Sequence, residues 1–164
     1  MNKNDLIFNV GFITFEKEVL MLLRNKVPNK GKWNGVGGHI EKGESPYQSG
    51  LREIYEESGI SLSSINFGGI LTWEGFEIKP GGLYIFTGQA PDRKITGNGE
   101  GVLAWKSTNF AFSDISVVDN IHIFLPPVLA NAKPCHYHFI YKNGIMVEHS
   151  IAALPAWVDI HEKY

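Results

Sequence analysis

A single cysteine, Cys135, stands in 164 residues. One thiol forms no disulfide within the chain, so no disulfide framework holds the fold, and the composition suits a reducing compartment. An excess of charge is missing too: 15 Lys and Arg against 17 Asp and Glu leave a formal net charge of −2. That is too little of one sign to build the basic field a polymeric nucleic acid requires. No apolar run approaches the roughly 18 residues of a membrane-spanning helix. The opening MNKNDLIFNVGFITF carries no long apolar stretch followed by a small-residue cleavage signal. These absences predict a cytoplasmic protein, if the source is bacterial, without membrane or nucleic-acid polymer as partner. Repeats, low-complexity tracts and linkers are also absent. The chain is long enough for one domain with a real core, which predicts a single domain over residues 1–164.

What is present begins with strands. Residues 6–15 and 18–24 read as two of them, with a turn at Glu16-Lys17 and a polar loop over 27–32. A helix is predicted over 45–58: Ser45 suits the N-cap, Pro46 the first helical position and Gly59 the C-terminal cap. Residues 65–76 and 83–87 are β-branched and aromatic, hence strands, with a turn over 79–82. A short strand over 103–106 follows, then a helix over 118–130 that Pro126-Pro127 interrupts. Residues 136–142 and 145–151 flank Asn143-Gly144, a two-residue hairpin signal. Strands and helices alternate without a βαβ rhythm, which predicts an α+β fold with helices packed on a mixed sheet.

The predicted helix concentrates acid. At 100° per residue, with Glu53 at zero, Glu56 lies at roughly 300° and Glu57 at roughly 40°, so three carboxylates share one face. Tyr47, Leu51, Ile54 and Ser58 fall on the other side, with Tyr55 at its edge. Like charges three and four apart oppose the helix by roughly 0.2–0.5 kcal/mol per pair. A solvated acidic face is one explanation. A hard-cation site is the other, because carboxylate oxygens suit Mg²⁺ or Mn²⁺, and no cysteine here favours zinc. The glycines before the helix, Gly35, Gly37 and Gly38, match neither a Walker loop nor Gly-x-Gly-x-x-Gly, since position 40 is Ile. They permit tight backbone geometry, through which a carbonyl could join the carboxylates.

Gly38, Glu44, Arg52, Glu53, Ile54, Glu56, Glu57, Gly59 and Ile60 stand at the spacings G-x5-E-x7-R-E-U-x-E-E-x-G-U, U being a bulky aliphatic residue. This resembles the signature box of the Nudix hydrolases, here residues 38–60. The resemblance implies a Nudix fold, a mixed β-sheet sandwiched between α-helices with the box forming loop–helix–loop. It implies metal-dependent hydrolysis of a nucleoside diphosphate linked to another group. Gly38, Glu53, Glu56 and Glu57 would be the metal site, with Mg²⁺ as cofactor and Mn²⁺ as substitute. Arg52 would orient the carboxylates, and one glutamate would double as base. Glu44 would either orient Arg52 or complement the helix dipole.

The lead-in Trp33-Asn34-Gly35-Val36-Gly37-Gly38 resembles that of the MutT-like branch, the oxidised-purine nucleoside triphosphatases. By that resemblance Asn34 and Asp119, with Asn120 beside it, would read a purine base. Arg24 would reach phosphate, Trp73 would stack the base, and Glu100 would serve as an extra metal ligand or base. The animal members carry two adjacent acids where this chain has Asp119-Asn120, and a Trp where it has Val117. The expected activity is conversion of a purine nucleoside triphosphate, such as (8-oxo-)dGTP, to monophosphate and pyrophosphate, by a monomer or homodimer. Hydrolysis of another nucleoside diphosphate derivative such as ADP-ribose, or nucleotide binding without turnover, are the alternatives. Lys26, Lys30 and Lys32 could help hold phosphates. The hairpin predicts that His138 faces His149 with His136 on the same face, a structural trio rather than a metal site.

Overall fold

The computed structural model describes residues 3–97 and 99–164; Met1, Asn2 and Asn98 lie outside it. Eight strands form one mixed sheet: β1 (Leu6–Phe15), β2 (Glu18–Arg24), β3 (Trp33–Asn34), β4 (Asn66–Glu74), β5 (Gly81–Gln89), β6 (Gly101–Ser107), β7 (Cys135–Lys142) and β8 (Ile145–Ala153). Their order is β3-β2-β1-β5-β4-β7-β8, with β6 paired to β2. The β1–β5 and β4–β7 pairs are parallel. Helix α1 (Pro46–Ser58) covers one face, while α2 (Thr108–Ser113) and α3 (Ile121–Leu129) cover the other. The period of two sorts the core between them. Phe12, Leu71 and Ile85 meet Phe124, Leu125 and Val128; Ile13, Ile70 and Phe86 meet Ile54. The expected mixed sheet between helices is therefore present.

One irregularity makes room for the site. β1 and β2 pair only beside their turn, at Thr14↔Val19 and Phe15↔Glu18. β2 then leaves β1 and pairs with β3 at Leu22 and Leu23, while β6 runs along β2 from Glu18 to Arg24. Residues 36–40 take the vacated flank of β1: Gly11 N donates to Val36 O (2.6 Å), Asn9 N to Gly38 O (2.9 Å) and Ile40 N to Ile7 O (2.9 Å). The glycine segment is thereby fixed to the sheet just before α1 begins.

Several boundaries differ from expectation. Gly81 and Gly82, expected in a turn, pair with Trp73 and Thr72 and open β5. β3 and α2, too short for periodicity to announce, were not expected at all. α3 contains both prolines; it loses two donors and ends two residues later, while their carbonyls accept from Ala130 and Ala132. At the hairpin, Asn143 (φ 52°) and Gly144 (φ 76°) both adopt the positive φ of a type I′ turn. An irregularity between Ile140 and Tyr141 shifts the register, so Phe139, not His138, faces His149. His149 stacks against Phe139, on the face opposite His136 and His138, which share the Thr72 hydroxyl at 2.8 Å each. The expected histidine trio does not form. Among the described residues no helix is long and apolar enough to cross a membrane.

Candidate active site

Helix α1 is delimited by strong local signals. The Ser45 side chain accepts from Gln48 N and the Gln48 side chain returns to Ser45 N, a full capping box. Gly59 ends the helix in the left-handed region and donates its N–H to Tyr55 O (2.8 Å). Ile54, 1% exposed, anchors the inner face. Of the three carboxylates on the acidic side, Glu56 is exposed, Glu53 partly buried and Glu57 buried.

Arg52 organises them. Its Nε and one terminal nitrogen donate to Glu44 at 3.0 and 2.6 Å; its other terminal nitrogen donates to Glu53 (2.8 Å) and Glu56 (3.1 Å). Glu44 is thus the orienting partner of Arg52, while Ser45 does the capping. Although burial works against it, the hydrogen bond from Arg52 holds the Glu44 carboxyl below its usual range. Bonding to Glu44 raises the Arg52 pKa further, so the guanidinium stays charged.

Glu57 faces the glycine segment, and its Oε2 accepts from Gly37 N at 2.7 Å. Burial, reinforced by the charges of Glu53 and Glu100, pushes its carboxyl up to about 7, against the pull of the Gly37 bond and Arg24. Burial likewise raises Glu53, even with Arg52 beside it. Two carboxylates are therefore held with less positive charge around them than their ionisation favours. Glycine is required next to them. A Cβ at Gly38 would lie 2.5 Å from Glu53 Oε1, and one at Gly37 (φ 154°) 2.2 Å from Asn9 O.

A cavity of about 420 Å³ adjoins this acidic face. Gly37 and Gly38 form part of its wall, with Arg24, Asn34, Trp73, Glu100 and Asn120. The structure thus brings most of the sequence-derived residues together. Asn34 Oδ1 accepts from Gly35 N (2.8 Å), which leaves its amide N–H groups as donors. Arg24 is held by Pro28 O at 2.7 Å, and Glu100 pairs with Lys26 at 3.0 Å. Trp73, 7% exposed, is wall and core at once, its Nε1 donating to Lys79 O. Asp119 lies exposed outside the wall, where the Tyr141 hydroxyl donates to its Oδ1 (2.9 Å). Lys26, Lys30 and Lys32 are not in the wall; Lys32 donates to Ile115 O (2.7 Å). Val117, 1% exposed, is core.

The wall residues that sequence reasoning missed include Phe8, Asn9, Phe76 and Tyr141. A polar Asn9 inside the apolar run LIFNVGFITF was an available signal. Its Nδ2 donates to Ser49 Oγ (2.7 Å) across to α1. Phe76 and Tyr141, 4.8 Å apart by ring centroids, come from distant segments and left no local pattern.

Among the described residues no three His, Cys, Asp or Glu side chains converge closely enough to enclose an ion unaided. The donor set suits a cation that keeps waters and substrate oxygens in its shell, as Mg²⁺ ordinarily does.

A sequence model of the NUDIX domain matches residues 6–132. The chain is 28% identical over 68 residues to the oxidized purine nucleoside triphosphate hydrolase of Mus musculus, which covers 42% of this chain and 44% of that protein. The chain thus aligns with less than half of that relative's length. The crystal structure of the mMutator MutT protein from Bacillus halodurans superposes with a TM-score of 0.74 at 21% identity, covering 88% of this chain and 95% of that one. The NUDIX domain of Shewanella oneidensis NrtR, solved in complex with ADP ribose, gives a TM-score of 0.65 at 15% identity, covering 77% and 88%. At these identities the two structures show a common fold.

Proposed function

Because the chain belongs to the NUDIX family, we propose that it is a Mg²⁺-dependent hydrolase that cleaves a purine nucleoside triphosphate, such as (8-oxo-)dGTP, to the monophosphate and pyrophosphate. The observation that carries this reading is the juxtaposition of two unlike surfaces. An aromatic cavity with amide groups, of a volume suited to a nucleoside, opens beside a helix face crowded with carboxylates. A base and a polyphosphate need those two surroundings in that order.

Glu53, Glu56 and Glu57 would hold Mg²⁺, with Mn²⁺ as substitute, and the Gly38 carbonyl has a second lone pair beyond the one given to Asn9 N. When bound, such an ion neutralises phosphate oxygens and makes water more acidic. The chain's own residues do the remainder. Arg52 fixes Glu53 and Glu56 in orientation. One of the glutamates, or Glu100, whose charge Glu57 feels, would take the proton. Arg24 places a positive charge in the cavity wall for phosphate. Asn34 would donate to the base, Asn120 lines the wall next in sequence to Asp119, which is tied to Tyr141, and Trp73 would supply a flat apolar surface. The chain would act as a monomer or a homodimer, with residues 1–164 as one domain. The partner is a small nucleotide, and the setting is the cytoplasm.

Glu53→Gln tests the reading. Turnover falls by orders of magnitude while nucleotide affinity in the cavity is kept. A wild-type chain that binds nucleotide and cleaves none would instead be a binding module, and cleavage of ADP-ribose alone would move the substrate while leaving the chemistry.

A further inference from the structure

The segment after β8 returns across the α1 face. Leu154, Val158, Ile160 and Tyr164 pack against the core that contains Ile54. Its backbone bonds fall on one short stretch. Gly43 N donates to Tyr164 O (2.8 Å), Tyr164 N to Glu44 O (3.1 Å) and Tyr47 N to Ile160 O (3.0 Å). The last of these satisfies a helix-start N–H that α1 cannot satisfy itself. The segment is in turn pinned to the sheet through one hydroxyl. Tyr164 Oη donates to Leu6 O (2.8 Å), which can only accept, so the Tyr84 hydroxyl donates to Tyr164 Oη (3.1 Å). Tyr84 is 1% exposed, so that bond is shielded from water.

The stretch so gripped carries Glu44. Within the loop, Glu44 N donates to Glu41 O (3.2 Å) and Glu41 N to Glu44 Oε1 (2.7 Å), so the loop otherwise bonds mainly to itself. Glu44 holds Arg52, and Arg52 holds Glu53 and Glu56. We infer that residues 160–164 form a strap that positions Glu44, and through Arg52 sets the orientation of the carboxylates, with Tyr164 as its positioning residue. The physical reason is preorganisation: partners of metal-binding carboxylates typically change affinity 10–100-fold when lost. The inference rests on the metal reading of Glu53, Glu56 and Glu57.

The test removes residues 160–164, in the wild-type chain and in Glu44→Gln. One readout is Mn²⁺ affinity, by water-proton relaxation. The other is the Arg52 Nε–H signal by NMR, which needs neither metal nor activity. Deletion weakens Mn²⁺ binding about tenfold in the wild-type background and hardly at all in Glu44→Gln, because the strap acts through that residue. The Arg52 signal, sharp and slowly exchanging in the full chain, broadens or disappears. Unchanged Mn²⁺ affinity, or an equal loss in both backgrounds, overturns the strap. If the deletion variant does not fold, Tyr164→Phe carries the same comparison: it keeps the ring and the backbone bonds, loses both hydroxyl bonds, and must show a smaller loss that again depends on Glu44. If the wild type binds no Mn²⁺, the metal reading fails, and the Arg52 signal alone decides the strap: broadening upholds it and an unchanged signal refutes it.

Discussion

Replacing Glu57 with Gln should stabilise this chain in chelator at alkaline pH while removing its function. Glu57 is 5% exposed and receives one hydrogen bond, from Gly37 N at 2.7 Å. Its carboxyl rises from an ordinary 4.5 to about 7, first through burial and then through Glu53 and Glu100. The folded pKa lies above the unfolded one. The stability attached to this group is therefore fully present below pH 4.5 and lost as pH rises through about 7. At about 1.4 kcal/mol per pH unit, that loss reaches at most about 3 kcal/mol by pH 8. Glutamine keeps the acceptor for Gly37 and carries no charge at either pH. Thermal unfolding in chelator at pH 4.5 and pH 8 makes the comparison. The variant should match the wild type at the lower pH and exceed it at the higher, by up to roughly 6–12 °C in Tm for a chain of this size. Mg²⁺ added at pH 8 should raise the wild type and leave the variant where it is, because binding to the folded state alone stabilises it. Identical pH dependence in the two proteins would refute the reasoning.

Arg52→Lys should weaken folding by roughly 1.5–3 kcal/mol and lower kcat, since an ammonium cannot divide itself among Glu44, Glu53 and Glu56 as the guanidinium fork does; thermal unfolding and steady-state kinetics read both. Gly38→Ala sets a methyl 2.5 Å from Glu53 Oε1, so Glu53 must swing away. Mn²⁺ affinity should drop about tenfold or more, which relaxation titration measures, and wild-type affinity would show that Glu53 is not a ligand. Asn34→Ala removes the amide donor at the cavity and should lower kcat/KM for a purine triphosphate roughly five- to tenfold, mostly through KM, because the contact is equal in ground and transition state. A change in kcat alone would place Asn34 outside the base site.

Local chemistry made α1 legible. Ser45, Pro46 and Gly59 mark its ends, and the angular spacing of Glu53, Glu56 and Glu57 marks its acidic side. The parts of the site that depend on distant pairing were not legible. The splay of β2 from β1 frees the flank of β1 on which Gly37 and Gly38 sit beside Glu57 and Glu53, and no local pattern announces it. Phe8, Phe76 and Tyr141 meet only because β1, the β4–β5 connection and β7 converge on one cavity. The histidine trio failed for a different reason: one register irregularity at Ile140 turns His149 to the other face, and turn chemistry alone does not reveal it. Asp119 is a subtler case, since the residue type matches its expected role, but it lies outside the cavity wall, bonded to Tyr141.

The most direct measurement is product analysis of the purified chain with Mg²⁺ against dGTP, 8-oxo-dGTP, the other nucleoside triphosphates, ADP-ribose and a dinucleoside polyphosphate. Monophosphate and pyrophosphate are expected from purine triphosphates, lost on chelation and in Glu53→Gln. Cleavage of ADP-ribose alone would contradict the substrate assignment, and no cleavage of any compound would contradict the catalytic reading itself.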